Sequence, residues 1–339
     1  MERTHIAVVG ATGLVGIEMR KLWDADPELK PLTLKLFASY ARPDEGVLSL
    51  ADAKGELANC QYILNASSDD VAKSIKDALK PGQVLIDNSS AFRLDPEVPL
   101  VVPEVNGSQV QSLPQVIANP NCTAILLCMV LNALKQWTMN RVIVSTYQAA
   151  SGAGLPALEE LQAQVKAAGQ SKPMPEPRVF PYQLFSNVIS HNTPIRSEGE
   201  LGEGYNGEEW KVIQETRKIL EIRHLPISAT CMRVPVMRAH TESVTIDFKQ
   251  EFKIEEVRKA LSSAPGLKIV DDWAHNHFPM PLEAENQDLV LVGRIRKDVG
   301  LPKTLHLILC GDQIRKGAAT NALQILKLHM DLSSAGMVV

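Results

Sequence analysis

The segment HIAVVGATGLVGIEMRKLWD, from His5 to Asp24, limits the possible folds more than any other stretch of the chain. Ile6 to Val9 form a short apolar run rich in β-branched residues, the signature of a buried strand. Gly10, Gly13 and Gly16 follow at three-residue steps, and a helical pattern begins behind them. A glycine turn between strand and helix brings backbone N–H groups and a helix N-terminus against a phosphate. GATGLVG is a GxxGxxG variant of the dinucleotide fingerprint rather than GxGxxG, and alone it is weak. Its place after the first apolar strand strengthens it; the plainer alternative is a tight turn that only lets helix and strand pack closely.

The stretches LTLKLFAS, CQYILNAS and QVLIDNSS read as further strands, with the helical DDVAKSIKDALK between the last two. LVVPEVN and QVIANPN add short extended pieces. Strand alternating with helix predicts a parallel sheet covered by helices. After Lys135 the rhythm changes. RVIVSTYQAA, ISATCMRVPV, HTESVTIDFK, LVLVGRIRKD and TLHLILCGD read as strands of a larger sheet. SGAGLPALEELQAQVKAAG and EEWKVIQETRKIL read as helices, and KPMPEPRVFPYQ as either a linker or an oligomer arm. The fold expected is an α/β N-terminal dinucleotide-binding, Rossmann-like domain with a second α+β domain carrying a mixed sheet. The first takes residues 1–127 and 314–339, its last helix packing back on it, and the second takes 128–313.

A length of 339 residues suits two domains. The formal net charge of −4 argues against a bulk attraction to nucleic acid or to an anionic membrane. There is no run of eighteen apolar residues for a membrane span, and the N-terminus enters a strand without the regions of a signal peptide. The five cysteines are odd in number, widely spaced and without a CxxC pair, so reduced thiols in a cytoplasmic setting are expected.

Cofactor type is read after the second strand. An NAD site usually carries an acid there for the ribose 2′-hydroxyl. In FASYARPDEG, Ser39 and Arg42 take that place, and a hydroxyl with a guanidinium suits a 2′-phosphate, hence NADP. Asp44 and Glu45 are close in sequence, and an exposed charged loop is the alternative.

Cys122 follows Asn-Pro-Asn at the start of the helical CTAILLCMVLNALK. A helix N-terminus stabilises a thiolate, the nucleophilic form. A buried small residue is the other reading, and Cys128 further along is expected to be inert packing. A thiolate nucleophile needs an acid/base partner, and His240 in CMRVPVMRAHTESV is the candidate. A structural histidine is its alternative. His275 and His277 in HNH have no ligand cluster around them in sequence, so they are read as surface residues and no metal is expected.

Eight separate motifs, in family order over nearly the whole chain, resemble the bacterial aspartate-β-semialdehyde dehydrogenase family: GATGLVG, DNSSAFR, VVPEVN, NPNCTA, TYQAASGAG, EEWKVIQETRKI, MRVPVMRAH and RKGAA. The resemblance implies that Cys122 is the nucleophile, His240 the acid/base residue and Gln148 the group that orients the reacting atoms. It implies that Arg233 holds the substrate α-carboxylate and Glu208 its amino group. Arg93 and Lys211 match the phosphate-binding pair, with Asn121 as a further contact. Gly10, Thr12, Gly13, Leu14, Val15, Ser39, Arg42, Ser151, Gly152 and Gln313 are implied to hold NADP, Gln313 standing where the family commonly has asparagine. Thr123-Ala124 departs from the two hydroxyl residues common after the nucleophile.

The reaction so implied is NADPH-dependent reductive dephosphorylation of L-4-aspartyl phosphate to L-aspartate 4-semialdehyde through a cysteine thioester, with His240 protonating the oxyanion. Its product would serve lysine, diaminopimelate, methionine, threonine and isoleucine synthesis, and the enzyme would be a homodimer. N-acetyl-γ-glutamyl-phosphate reductase is a rival with the same logic, and a non-catalytic dehydrogenase-like paralogue is another.

Overall fold

The computed structural model describes residues 5–191, 193–195 and 202–336. Two compact units emerge, one drawn from Met1–Asn121 with Gly317–Val339 and the other from Cys122–Lys316.

The first unit contains β1 (His5–Val9), α1 (Leu14–Ala25), β2 (Thr33–Ala38), β3 (Val47–Ser49), α2 (Lys54–Leu57), β4 (Tyr62–Asn65), α3 (Asp69–Asp77), β5 (Val84–Asp87), α4 (Pro103–Asn106) and β6 (Val116–Ala118). The strands form one parallel sheet in the order β3-β2-β1-β4-β5-β6. Parallel strands are shielded on both faces, which is why β1 and β4 read as apolar runs without alternation. The strand order reverses between β1 and β4, and a Rossmann-like sheet binds its ligand beyond the strand ends at such a point. Gly10 sits there with φ +83, and a Cβ on it would lie 2.6 Å from the Ala66 carbonyl oxygen. Only glycine combines that left-handed backbone with that approach.

VVPEVN, expected to be extended, instead turns into α4. Pro103 opens the turn. Asn106 then ties it off, accepting from Val102 N at 2.8 Å and donating to Leu100 O at 2.9 Å. A proline at a first helical position favours this outcome.

The second unit contains α5 (Cys122–Ala133), β7 (Met139–Gln148), α6 (Leu155–Gly169), α7 (Gly207–Ile219), β8 (Ile227–Arg233), β9 (His240–Phe248), α8 (Ile254–Ser263), β10 (Leu267–Ile269), α9 (Pro281–Ala284), β11 (Val290–Lys297) and β12 (Thr304–Gly311). Its mixed sheet has the order β10-β11-β12-β9-β7-β8. Pairs β7–β8 and β10–β11 are parallel and the others antiparallel. Along β9, every second residue from His240 to Phe248 is buried, which sets His240 and Glu242 on the core face beside Val244 and Ile246. The proline-rich stretch lies on α6. Glu160 accepts from the backbone N–H of Arg178 and Val179 at 2.6 and 2.7 Å, and Phe180 and Leu184 join a core with Ala157 and Leu161.

The helix α10 (Thr320–Ser334) returns to the first unit, where Ala322, Leu323, Ile325 and Leu326 share a core with Ile6, Leu64 and Ile86. The unit boundaries differ from those expected. The compact units divide before Cys122, where a break after residue 127 was expected, and α5 packs on α7 and β12. The return falls after Lys316 rather than residue 313.

Candidate active site

Cys122 is the first residue of α5 and is half-buried, whereas Cys60, Cys128, Cys231 and Cys310 are buried. Burial pushes those four thiols up from the ordinary value, Cys310 to about 12. They stay protonated at neutral pH, and Cys122, at the head of α5, is the cysteine that the core does not enclose.

The end of β7 delivers Gln148. Its carboxamide Nε2 donates to Thr123 Oγ1 at 3.1 Å, to Thr146 Oγ1 at 3.3 Å and, more weakly, to Glu208 Oε1 at 3.5 Å. Thr146 was not singled out from sequence, and Thr123 only as part of the pair that departs from the family pattern. The signal was present for Thr146, since two residues apart on a strand share a face.

Glu208 lies in the first turn of α7 and Lys211 just after it, with Lys211 Nζ 3.9 Å from Glu208 Oε2. Asn206 caps this helix reciprocally with Glu209: its Oδ1 accepts from Glu209 N at 3.0 Å, and Glu209 Oε2 accepts from Asn206 N at 2.9 Å. Glu209 Oε1 also accepts from Cys231 N at 3.1 Å, which docks the start of α7 on β8.

Arg233 ends β8 almost fully buried. Its Nη1 donates to Ala149 O at 2.5 Å, and its guanidinium carbon stands 5.8 Å from the Phe180 ring centre. Among the described residues no carboxylate hydrogen-bonds it. Burial lowers its pKa, while the charge of Glu208 and then that of an ionised Cys122 sulfur act the other way. Arg233 is thus electrostatically coupled to both Glu208 and Cys122.

His240 opens β9, fully buried. The Ala149 N–H donates to its Nδ1 at 3.1 Å. Burial, and then the positive charge of Arg233, hold the imidazole well below its usual pKa. A Cβ on Gly152 would lie 2.9 Å from both Arg233 Nη1 and His240 Cε1, so no larger residue fits beside them without a shift. Gln313 donates to Ser151 Oγ at 2.5 Å and accepts from Ala239 N at 2.9 Å. Both ends of its carboxamide therefore hold this chain.

These residues, from Cys122 to Gln313, belong to the second unit. The remaining candidates lie in the first. Arg93 is nearly buried and donates from Nη2 to Asn88 O at 2.7 Å, and Asn121 is buried. Thr12, Gly13, Leu14 and Val15 carry the turn into α1. A Cβ on Gly13 would meet Gly10 O at an ordinary 3.5 Å. Packing within the chain does not demand glycine there, whereas a phosphate drawn against the helix N-terminus would use that space. Ser39 and Arg42 are exposed beyond β2. Arg42 Nη1 lies 3.3 Å from Glu45 Oε1, and Arg20 Nη1 lies 3.1 Å from Glu45 Oε2.

His275 bonds Asp272 at 2.7 Å and His277 bonds Glu283 at 2.7 Å, both at the surface. Among the described residues no cluster is arranged to hold a metal ion, and no helix is long and apolar enough to cross a membrane.

Residues 5–113 match the NAD binding domain of semialdehyde dehydrogenases, and residues 131–316 match their dimerisation domain. The aspartate-semialdehyde dehydrogenase of Synechocystis sp. is 44% identical over 336 residues, covering 96% of this chain and 97% of that one. Its counterpart in Prochlorococcus marinus is 43% identical, with 97% and 96% covered. Among solved structures, aspartate semialdehyde dehydrogenase II of Vibrio cholerae, in complex with ASA, superposes with a TM-score of 0.88 at 31% identity, covering 98% of this chain and 99% of that one. The Candida albicans structure with NADP, at 21% identity and a TM-score of 0.72, shares the fold and covers 98% of this chain and 99% of that one.

Proposed function

The chain belongs to the aspartate-semialdehyde dehydrogenase family, and on that premise we propose that it reduces L-4-aspartyl phosphate to L-aspartate 4-semialdehyde with release of phosphate. The observation that carries this reading is the position of Arg233. One buried cation is coupled to the Cys122 sulfur and to Glu208, and holds the carbonyl of the same residue whose amide holds His240.

The residues then divide the work. The Cys122 thiolate attacks the acyl carbon, and the carbon–oxygen bond to phosphate breaks, leaving a thioester. Arg233 takes the α-carboxylate of the substrate and Glu208 its ammonium, a pairing that places the acyl carbon beside the sulfur. Lys211 brings positive charge to the departing phosphate. Gln148, fixed by Thr123 and Thr146, orients the acyl oxygen, and His240 Nε2 faces the oxyanion. Covalent catalysis of this kind replaces one difficult step by two easier ones.

The cofactor is a nicotinamide dinucleotide, held in the first unit by the turn from Gly10 to Val15. We assign it as NADP(H), because Arg42 and Arg20 both stand at Glu45 beyond β2, where a 2′-phosphate would be read. When bound, it supplies the hydride that reduces the thioester. Five cysteines that form no disulfide suit a reducing compartment, and we place the reaction in the cytoplasm. The match to a dimerisation domain supports a homodimer. The aldehyde product serves amino-acid biosynthesis, in the branches that lead to lysine, diaminopimelate, methionine, threonine and isoleucine.

A substrate panel tests the reading. NADP reduction should require phosphate together with aspartate semialdehyde, and the N-acetylated γ-glutamyl analogue should not react, since Glu208 requires a free ammonium. Turnover of the acetylated substrate alone would overturn it.

A further inference from the structure

We propose that Glu45 is a specificity-determining residue for the cofactor: its carboxylate stands in for the 2′-phosphate between Arg20 and Arg42, and NADP(H) must displace it to bind. The inference rests on the reading of this loop as the site of the 2′-phosphate and concerns what holds the two arginines when that phosphate is absent.

The turn after β2 is built around this acid. Arg42 and Val47 exchange both backbone hydrogen bonds, at 2.8 and 3.1 Å, which closes the chain into a hairpin. Val47 pairs with Leu36, so the hairpin is fastened to the edge of the parallel sheet. Pro43–Glu45 form one 3₁₀ turn, in which Glu45 N donates to Arg42 O at 3.0 Å. Gly46 ends it with φ +68 and donates from its N–H to Pro43 O at 3.0 Å. That left-handed step is one glycine takes without strain, and it turns the chain back into β3. The spacing of three residues returns the Glu45 carboxylate to the Arg42 side chain.

Glu45 divides its two oxygens. Oε2 accepts from Arg20 Nη1 at 3.1 Å and Oε1 from Arg42 Nη1 at 3.3 Å. Arg20 comes from α1 and Arg42 from the hairpin, so one carboxylate bridges guanidiniums brought from different elements. These bonds, that of Arg20 first, hold its carboxyl below the usual carboxylate range, and it is an anion at neutral pH. Asp44, the other acid of the turn, has no ion pair with either arginine among the described residues.

Two guanidiniums sharing one acid are a ready clamp for a phosphate. A phosphate monoester brings close to about two negative charges and three acceptor oxygens, where the carboxylate brings one charge and two oxygens. The phosphate therefore takes the arginines, but only once the existing pairs break. Glu45 is free to swing away: its side chain is 42% exposed and that of Arg42 55%, so it moves into water while the hairpin backbone stays in place. Exposed ion pairs are weak, so the displacement is reversible. An unphosphorylated ribose makes no such demand. Glu45 then stays on the arginines and neutralises them, and NAD(H) binds without facing two bare cations. The consequence is a narrower preference for NADP(H) than the two arginines alone would give.

The test is isothermal titration calorimetry of NADPH and, separately, NADH into the full-length protein and its Glu45→Gln variant, which keeps the side chain's size and removes its charge. The dissociation constant for NADPH should fall by about three- to ten-fold, the scale of two exposed ion pairs, and that for NADH should stay within about two-fold. Glu45→Ala should behave alike. An NADPH constant that is unchanged or raised would overturn the proposal, since Glu45 would then organise the arginines rather than compete for them. Equal tightening of NADH, a general charge effect, would also overturn it. So would weaker NADH binding, which would make Glu45 a reader of the ribose hydroxyl. Arg42→Ala, titrated alongside, separates this inference from the reading beneath it. If that variant binds NADPH more weakly and Glu45→Gln binds it no more tightly, only the role of Glu45 falls. If Arg42→Ala leaves NADPH unaffected, the assignment of the 2′-phosphate to this loop falls, and the proposal with it.

Discussion

The carboxamide of Gln313 accepts the backbone N–H of Ala239 at 2.9 Å, one residue before His240. Ala239 is buried with φ +69, a left-handed conformation that costs a non-glycine residue roughly 1–2 kcal/mol. The other end of the carboxamide holds Ser151 at 2.5 Å, beside Gly152. Gln313 thus pins the strained entry to β9 and the loop facing the imidazole with one side chain. Gln313→Ala should lower kcat by about ten- to a hundred-fold through misplacement of His240, and leave the KM for aspartate semialdehyde within about two-fold. A rise in KM with unchanged kcat would show that Gln313 acts on binding instead.

Arg42 offers a test of cofactor choice. Its guanidinium is half-exposed and shares Glu45 with Arg20. Arg42→Ala should raise the KM for NADPH by about ten- to a hundred-fold, matching the roughly 1.5–3 kcal/mol of hydrogen bonds to charged groups, and leave NADH nearly unaffected. Parallel steady-state measurements with the two cofactors check this. An equal effect on both would remove Arg42 from recognition of the 2′-phosphate.

Glu242 predicts a pH-dependent stability. It is fully buried, neither carboxyl oxygen has a hydrogen-bond partner among the described residues, and burial holds its pKa well above the usual carboxylate value. The folded state therefore keeps a proton that the unfolded chain releases above about pH 4.3. Stability is full below that pH and falls as pH rises towards the raised folded value. Glu242→Gln removes the dependence, and should melt a few degrees higher than the parent near neutral pH and equally at about pH 4. Melting curves across that range check it, and a lower melting temperature at neutral pH would show that the carboxyl is ionised and stabilised.

Much of this was legible in the chain. Apolar strands alternating with helices predicted the parallel sheet, and the glycine turn behind β1 strengthened that reading. Cys122 was visible from its place at the head of a helix. Other features were not. β3 has three residues, too few for a periodic pattern, and α4 hid in a run that local β propensity made extended. α8, β10 and α9 went unread between the clearer strands of the second sheet. The Ala149–His240 contact is made by a backbone amide, which carries no residue signature at all. The resemblance implies a cofactor contact for Gln313, and the engagement of both ends of its carboxamide within the protein has no signature in the chain.

The central claim is that Cys122 carries the acyl group. Mixing the protein with aspartyl phosphate in the absence of dinucleotide, quenching in acid and mapping the peptides by mass spectrometry tests this directly. The account requires an aspartyl thioester on Cys122, lost in Cys122→Ala together with turnover. An unmodified Cys122, or the acyl group on Cys128, Cys231 or Cys310, would contradict it.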